Sequence, residues 1–479
     1  MSADPNAAAL LEIVSLLRTG PPAVRVGAAR ALAGLSGTPD GRALLASVAP
    51  LSALASALSD ADASVCDFSV KALINLSADV LTREAVASRV SLASSLLERT
   101  RDAKFASRRG CVALLANIST SDAGAEAILE PESAVVGLGL RRLVPLLVAP
   151  EPEPTSAAAG GAGAEAESAA VADDFELLAV VLGNVSRIPV ARDMLLEPER
   201  AMLAALLPQL SARSPVRRRG VAALIRNCAL FATSGEPGAA AALNHMLSPG
   251  LGLVTALLLP LAGPSRRYTA DEREGMTEVL ARTGDEKCRE PDSSVRLAIC
   301  ETLLSLARAR VGRDALRDAK AYYVVRALHW MIEGVNEDEK EPGENGGGVS
   351  GVMVRAETPA ETLEAELDGK AKLSADDEAT VEAINALVQQ LWRDDEVPMG
   401  KGGGNGGMGG GGRSGTATED AERRREDAEL RASREAARKV PTGPRVRPPI
   451  QMRSEEEARA MAKRISSGEL HSGRGDEDL

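Results

Sequence analysis

Five short words recur along this chain: ALAGLS (31–36), ALINLS (72–77), LLANIS (114–119), VLGNVS (181–186) and LIRNCA (224–229). Aligned, they bring Asn75, Asn117, Asn184 and Asn227 to one position, which Gly34 holds in the first word. Successive sites lie 41, 42, 67 and 43 residues apart. The long gap contains residues 151–172, EPEPTSAAAGGAGAEAESAAVA, a low-complexity run that cannot supply an apolar helix face. Reading about 25 residues there as a surface insertion restores a period near 42. A repeat of that length cannot bury its apolar face alone, so its copies must stack.

Two further positions keep the same register. Arg25, Arg108, Arg218 and Arg296 stand nine residues before the aligned site, and Gly27, Gly110, Gly220 and Ala298 stand seven before it. Small residues there let neighbouring helices approach closely. The preceding words carry helix-start chemistry: Ser214 as N-cap with Pro215 behind it, and Asp292 or Ser293 likewise. Val112, Leu115 and Ile118 follow at helical spacing. Only 2% of residues are aromatic, and Ala and Leu carry the apolar content, as closely packed helices require.

The pattern predicts an all-α, armadillo/HEAT-like right-handed superhelical solenoid with disordered insertions and a disordered C-terminal tail. The solenoid is expected over 1–335, interrupted by the insertion at about 151–172 and a charged loop at about 265–291. An acidic Gly-rich segment follows at 336–373. Residues 374–396 read as a closing amphipathic helix, with Ser374 as cap and Val381, Ile384, Leu387, Val388 and Leu391 on one face. The Gly-rich and charged run 397–479 is read as disordered, with a transient helix at 418–439.

Composition excludes several function classes. A net charge of −12 argues against gripping phosphate backbones; Arg217–Arg219 and Arg423–Arg425 are short basic runs in helix-start and mixed-charge settings. The five cysteines, Cys66, Cys111, Cys228, Cys288 and Cys300, show no CxxC spacing and fit buried reduced thiols of a cytosolic or nuclear protein. The N-terminus lacks the basic region of a secretory signal, and the most apolar run, Leu251 to Ala262, is too short to span a bilayer. Three histidines, His245, His329 and His471, are too scattered for a metal cluster or relay, and none of the common nucleotide, hydrolase or metalloprotease motifs is present. No cofactor, metal or catalytic residue is expected.

The asparagines are the remaining candidate site. An amide buried without a partner costs about 1–3 kcal/mol, so each either bonds within the protein or looks out from it. In the second case an amide offers a donor and an acceptor to the backbone of an extended peptide in a concave groove. Both readings stand at the level of sequence.

Specific words go further. LLANIS, VLGNVSR (181–187), GVAALIRNCALF (220–231), LLLPLAGP (257–264), REPDSSVRLAICETLLSL (289–306) and AYYVVRALHWMIE (321–333) occur in that order. Together they resemble the eukaryotic HGH family, the brain-protein-sixteen-like proteins, over about residues 5–335 and the last helix. The resemblance implies a non-catalytic cytosolic chaperone for newly made translation elongation factor 2, working with the TRiC/CCT chaperonin and prefoldin, and without a cofactor. It places Asn117, Asn184, Arg187, Arg226 and Asn227 on or near the groove, with Asn75 as an earlier rung. It also makes Glu290, Asp292 and Arg296 loop contacts. The stretch TEVLARTGDEKC (277–288) departs from the family pattern. The alternative is a scaffold or transport adaptor holding an extended peptide. An acidic monomeric holder is expected to suit a client with basic surfaces, through binding that weakens with salt.

Overall fold

The computed structural model describes residues 5–151, 173–334 and 373–393. Most of the insertion at 151–172, the segment 336–373 and the tail with its helix at 418–439 lie outside the described residues. Every regular element among those described is an α- or 3₁₀-helix, so the all-α solenoid holds.

The aligned words form the C-terminal halves of a series of helices that we call spine helices. In order they are Pro22–Ser36, Ala63–Ala78, Arg108–Ile118, Leu178–Val185, Pro215–Ala232 and Ser293–Ala307. Ala375–Leu391 is the seventh. Each packs on the next. Shorter helices, such as Pro39–Leu45 and Val48–Ala57, lead from one spine helix to the following one. Starts are set by short polar side chains: Asp62, Ser214, Asp292 and Ser374 each accept a backbone N–H in the first turn of their helix. Pro22 and Pro215 stand at the first turn, where a missing N–H costs nothing. The core is one continuous Leu-rich cluster running from Leu10 to Leu391. Each fully buried Leu in it contributes about 2 kcal/mol.

The small residues seven before the aligned site act where a neighbour exists. A Cβ on Gly220 would lie 2.2 Å from the Ala179 carbonyl carbon, and one on Gly110 2.6 Å from Val70. Gly27 differs: nothing lies within 4 Å of that position, because its helix is the first of the series.

The arginines nine before the site tie neighbours together. Arg25 donates to both Asp60 oxygens at 2.8 and 3.0 Å and to the Gly20 carbonyl. Arg108 donates to Asp174 at 2.8 Å. Arg218 holds Glu290 at 3.0 Å and the Ala212 and Arg213 carbonyls, while Arg296 holds Asp377 and the Glu290 and Pro291 carbonyls. In each case the acid lies at or just before the start of the next spine helix. The hydrogen bond from Arg25 holds the Asp60 carboxyl below the usual aspartate range.

Residues 265–291 are not a plain loop. They contain the short helices Ala270–Arg273 and Glu278–Ala281, with Met276, Leu280 and Thr283 buried and Thr283 donating to the Gly263 carbonyl at 2.9 Å. The charges that dominate this stretch in sequence sit outside a few apolar anchors.

Candidate functional site

The aligned asparagines have internal partners. Asn75 donates to Ser36 Oγ at 3.0 Å, Asn117 to Ser77 Oγ at 3.0 Å, Asn184 to Ser119 Oγ at 2.9 Å and Asn227 to Ser186 Oγ at 2.9 Å. Each serine stands two residues after the aligned site of the preceding unit. Each hydroxyl in turn donates to the carbonyl three residues back: Ala33, Ile74, Ala116 and Gly183. The serine closes the end of its own helix and so has lone pairs free for the next unit's amide. The sixth spine helix has Ser305 at the aligned position, 2.9 Å from Thr233 Oγ1.

One N–H of Asn75, Asn117 and Asn184 is thus used between units, and Asn227 also donates to the Gly183 carbonyl at 3.1 Å, but the groups are not sealed. Asn117, Asn184 and Asn227 are half-buried and Asn75 is exposed. No amide oxygen among the four accepts a hydrogen bond from a described residue. Residues one helical turn away share this face. On the third and fifth spine helices they include Ala113 and Ala223, which leave the floor low. At the second, an open depression of about 430 Å³ is bounded by Ser36, Gly37, Arg42, Asn75, Ala78 and Asp79.

Arg187 and Arg226 lie on the same face. Arg187 donates to the Asn184, Ser119 and Thr120 carbonyls and lies 3.3 Å from Asp122. Arg226 pairs with Glu301 at 2.8 Å. Glu290, Asp292 and Arg296 are placed differently. Glu290 and Arg296 are 5% and 7% exposed, and Asp292 caps the sixth spine helix beneath Arg219. All three are spent on joining the fifth, sixth and seventh spine helices, so their polar atoms face the protein.

A second register escaped the sequence reading. Eight residues after the aligned site stand Arg42, Arg83, Arg192 and Arg313, each donating to carbonyls at the end of the spine helix before it. One residue earlier, Gly41, Gly124 and Gly312 let the next helix ride over a spine carbonyl; a Cβ would come within 1.9–2.1 Å of it. At the second unit Thr82 stands there and donates to the Leu76 carbonyl. The signal was present as G-R at 41–42 and 312–313, but a position split between Gly, Thr and Ala does not read as one.

Four of the cysteines are buried, and burial pushes Cys111, Cys228 and Cys300 up to about 12; Cys288 is exposed. His329 is buried, with Nε2 3.3 Å from Glu333. Among the described residues no helix is long and apolar enough to cross a membrane, and no group of three or more His, Cys, Asp or Glu is arranged to hold a metal ion.

A family profile described as "Domain of unknown function (DUF383)" matches residues 99–297. The chain is 33% identical over 341 residues to a human protein named Protein HGH1 homolog, covering 69% of this chain and 80% of the human one. A mouse protein of the same name is 30% identical over 317 residues, covering 65% of this chain and 74% of its own. Among solved structures, a designed armadillo repeat protein overlays 62% of this chain and 99% of its own, with a TM-score of 0.42 and 19% identity.

Proposed function

Because the chain belongs to the family of HGH1 homologues, we propose that it is a non-catalytic folding chaperone that binds newly made translation elongation factor 2. In this reading it acts in the cytosol as a monomer, passes its client to or shares it with the TRiC/CCT chaperonin and prefoldin, and needs no cofactor, membrane or nucleic acid. The observation that carries it is the continuous face along the spine helices. Its amides keep an oxygen free, and those of Asn75, Asn117 and Asn184 keep one N–H as well, which is what a peptide group of a partly folded chain can use. A large multidomain factor exposes such backbone while it folds, and a rigid holder limits its aggregation.

The test is affinity capture of the folded protein from an actively translating eukaryotic lysate. Wild type is compared with an Asn117→Ala, Asn184→Ala, Asn227→Ala variant. Asn117→Ala and Asn184→Ala each remove one half-buried hydrogen bond and Asn227→Ala removes two, each worth about 0.5–1.5 kcal/mol, so the variant is checked first for folding. Elongation factor 2 and chaperonin subunits should accompany wild type and be lost from the variant. Equal recovery with both would leave the chaperone reading standing and make the asparagines purely internal. Recovery with neither would refute the reading in favour of a peptide-binding adaptor.

A further inference from the structure

The net charge of −12 does not belong to the solenoid. The described residues carry 36 Lys and Arg against 37 Asp and Glu, so nearly all the excess acid lies outside them. Nor is the charge spread evenly over the solenoid. On the spine face, within two turns of the aligned sites, stand Arg30, Lys71, Arg109, Arg187, Arg226 and Arg308. Against these six, the same face carries Asp67, Asp79, Glu176 and Glu301, and Asp79 is already paired with Arg42 at 2.7 Å. Arg219 is set aside because it lies on the buried Asp292.

The internal pairing of these cations is weak. Arg109 reaches Glu176 at 3.4 Å with its own side chain 53% exposed, and Arg187 reaches Asp122 at 3.3 Å with Asp122 77% exposed. Lys71 meets Asp67 at 2.7 Å, but both are largely in water. Arg30 lies over the Phe68 ring at 5.2 Å. Neither Arg30 nor Arg308 has a carboxylate partner among the described residues. Pairs this exposed are worth between 0 and about 1 kcal/mol, so incoming carboxylates can displace them at little cost.

From this charge pattern we propose that the spine face takes an acidic stretch of extended polypeptide from the partner. The amides hold its backbone and the arginine and lysine side chains hold its Asp and Glu. The proposal rests on the reading of this face as the client-binding surface, and it reverses the sign expected from the whole-chain charge. The low floor at Ala113 and Ala223 fits a backbone lying close to the helices, with cations standing at its edges.

The experiment is fluorescence anisotropy on the full chain. The probes are a labelled peptide of alternating Glu and Ser, roughly twelve residues or about 40 Å extended, and its Lys/Ser counterpart. The acidic peptide should bind at least about tenfold more tightly than the basic one, and weaken as salt rises. Lys71→Glu with Arg226→Glu should lower its affinity at least about fivefold in a variant shown by circular dichroism to be folded. Glu301→Gln frees Arg226 and should raise affinity about two- to threefold. Equal or reversed preference between the peptides, or indifference to both variants, would overturn the proposal. If the double variant still captures elongation factor 2 as wild type does, the charge inference fails while the chaperone reading survives. If wild type prefers the acidic peptide but captures no elongation factor 2, the charge inference stands and the chaperone reading falls.

Discussion

Arg217 offers the sharpest stability prediction. It is 1% exposed and sits in the first turn of the fifth spine helix, with Nε 2.6 Å from Asp173 and Nη1 bonded to the Leu147 carbonyl and, at 3.0 Å, to Gln209 Oε1. Glu151 lies 3.8 Å away and accepts the Arg213 and Ser214 backbone N–H groups at 2.9 and 3.0 Å. Glu151 and Asp173 are the described residues on either side of 152–172, so one guanidinium fastens both ends of the inserted run. Arg217→Met keeps the length and removes every donor. It leaves the Asp173 carboxylate, 11% exposed, and the Leu147 carbonyl without their partner. Breaking a buried pair by removing one member costs about 3–5 kcal/mol. Some water still reaches Asp173 and Glu151, which favours the lower end, about 3 kcal/mol. Urea unfolding followed by circular dichroism measures the loss. Hydrogen exchange should show the first opening at residues 147–151 and 173–177, since repeat arrays open locally before they open globally. Replacing 152–172 by a short Gly-Ser linker should change stability by less than about 1 kcal/mol, because loop closure depends weakly on length. A loss below about 1 kcal/mol for Arg217→Met, or a linker swap that costs more than it, would refute the account.

Two further predictions come from the repeat register and the aspartates. Gly220→Ala should destabilise by about 1–3 kcal/mol through its clash with Ala179, whereas Gly27→Ala, in open space within a helix, should stabilise by about 0.5–1 kcal/mol; thermal unfolding of the two variants checks the contrast. Hydrogen bonds from Arg25 and Arg42 hold Asp60 and Asp79 below the usual aspartate range. Their contribution is therefore complete above about pH 4, the unfolded value, and is lost as pH falls through the lower folded values. Acid titration of Arg25→Gln and Arg42→Gln should show less loss than wild type does as pH falls below about 4.

How much of this was legible in the sequence depended on whether a position kept one residue type. Asn75, Asn117, Asn184 and Asn227 keep theirs, so the repeat and its register were readable despite the inserted run. Arg25, Arg108, Arg218 and Arg296 also keep theirs, but their partners vary: Asp60 and Glu290 lie 15 residues before the next aligned site, Asp174 lies 10 before it, and Asp377 is in the first turn of the seventh spine helix. The chain varies the start of each spine helix, and a long arginine reaches whichever carboxylate is there. That is why Glu290, Asp292 and Arg296 read as a surface word and turn out to join helices. The stretch 265–291 was misread for a related reason: Tyr268, Met276, Leu280 and Thr283 anchor it, and a few scattered buried side chains among many charges give no period.

The opening ambiguity over the amides dissolves once donors and acceptors are counted separately. An Asn side chain has two N–H groups and two lone pairs. The link to the preceding serine consumes one N–H and fixes the amide plane relative to the helix; Asn227 gives its other N–H to the Gly183 carbonyl and keeps only its oxygen. An amide so fixed loses little rotamer freedom when a ligand arrives, so its remaining polar groups bind at lower entropic cost than those of a free side chain. Internal wiring at these positions is therefore compatible with the proposed peptide binding. The same reasoning bounds the proposed site: Gly34 at one end and Ser305 at the other offer no amide, so the peptide-reading rungs run from Asn75 to Asn227. Beyond Ser305 the seventh spine helix, which packs on the sixth, carries the exposed Glu378 and Glu382, which would repel an acidic segment. A bound chain should thus end near Arg308 rather than run the length of the solenoid, and a peptide cross-linker placed at its last residue should label the sixth spine helix and spare the seventh.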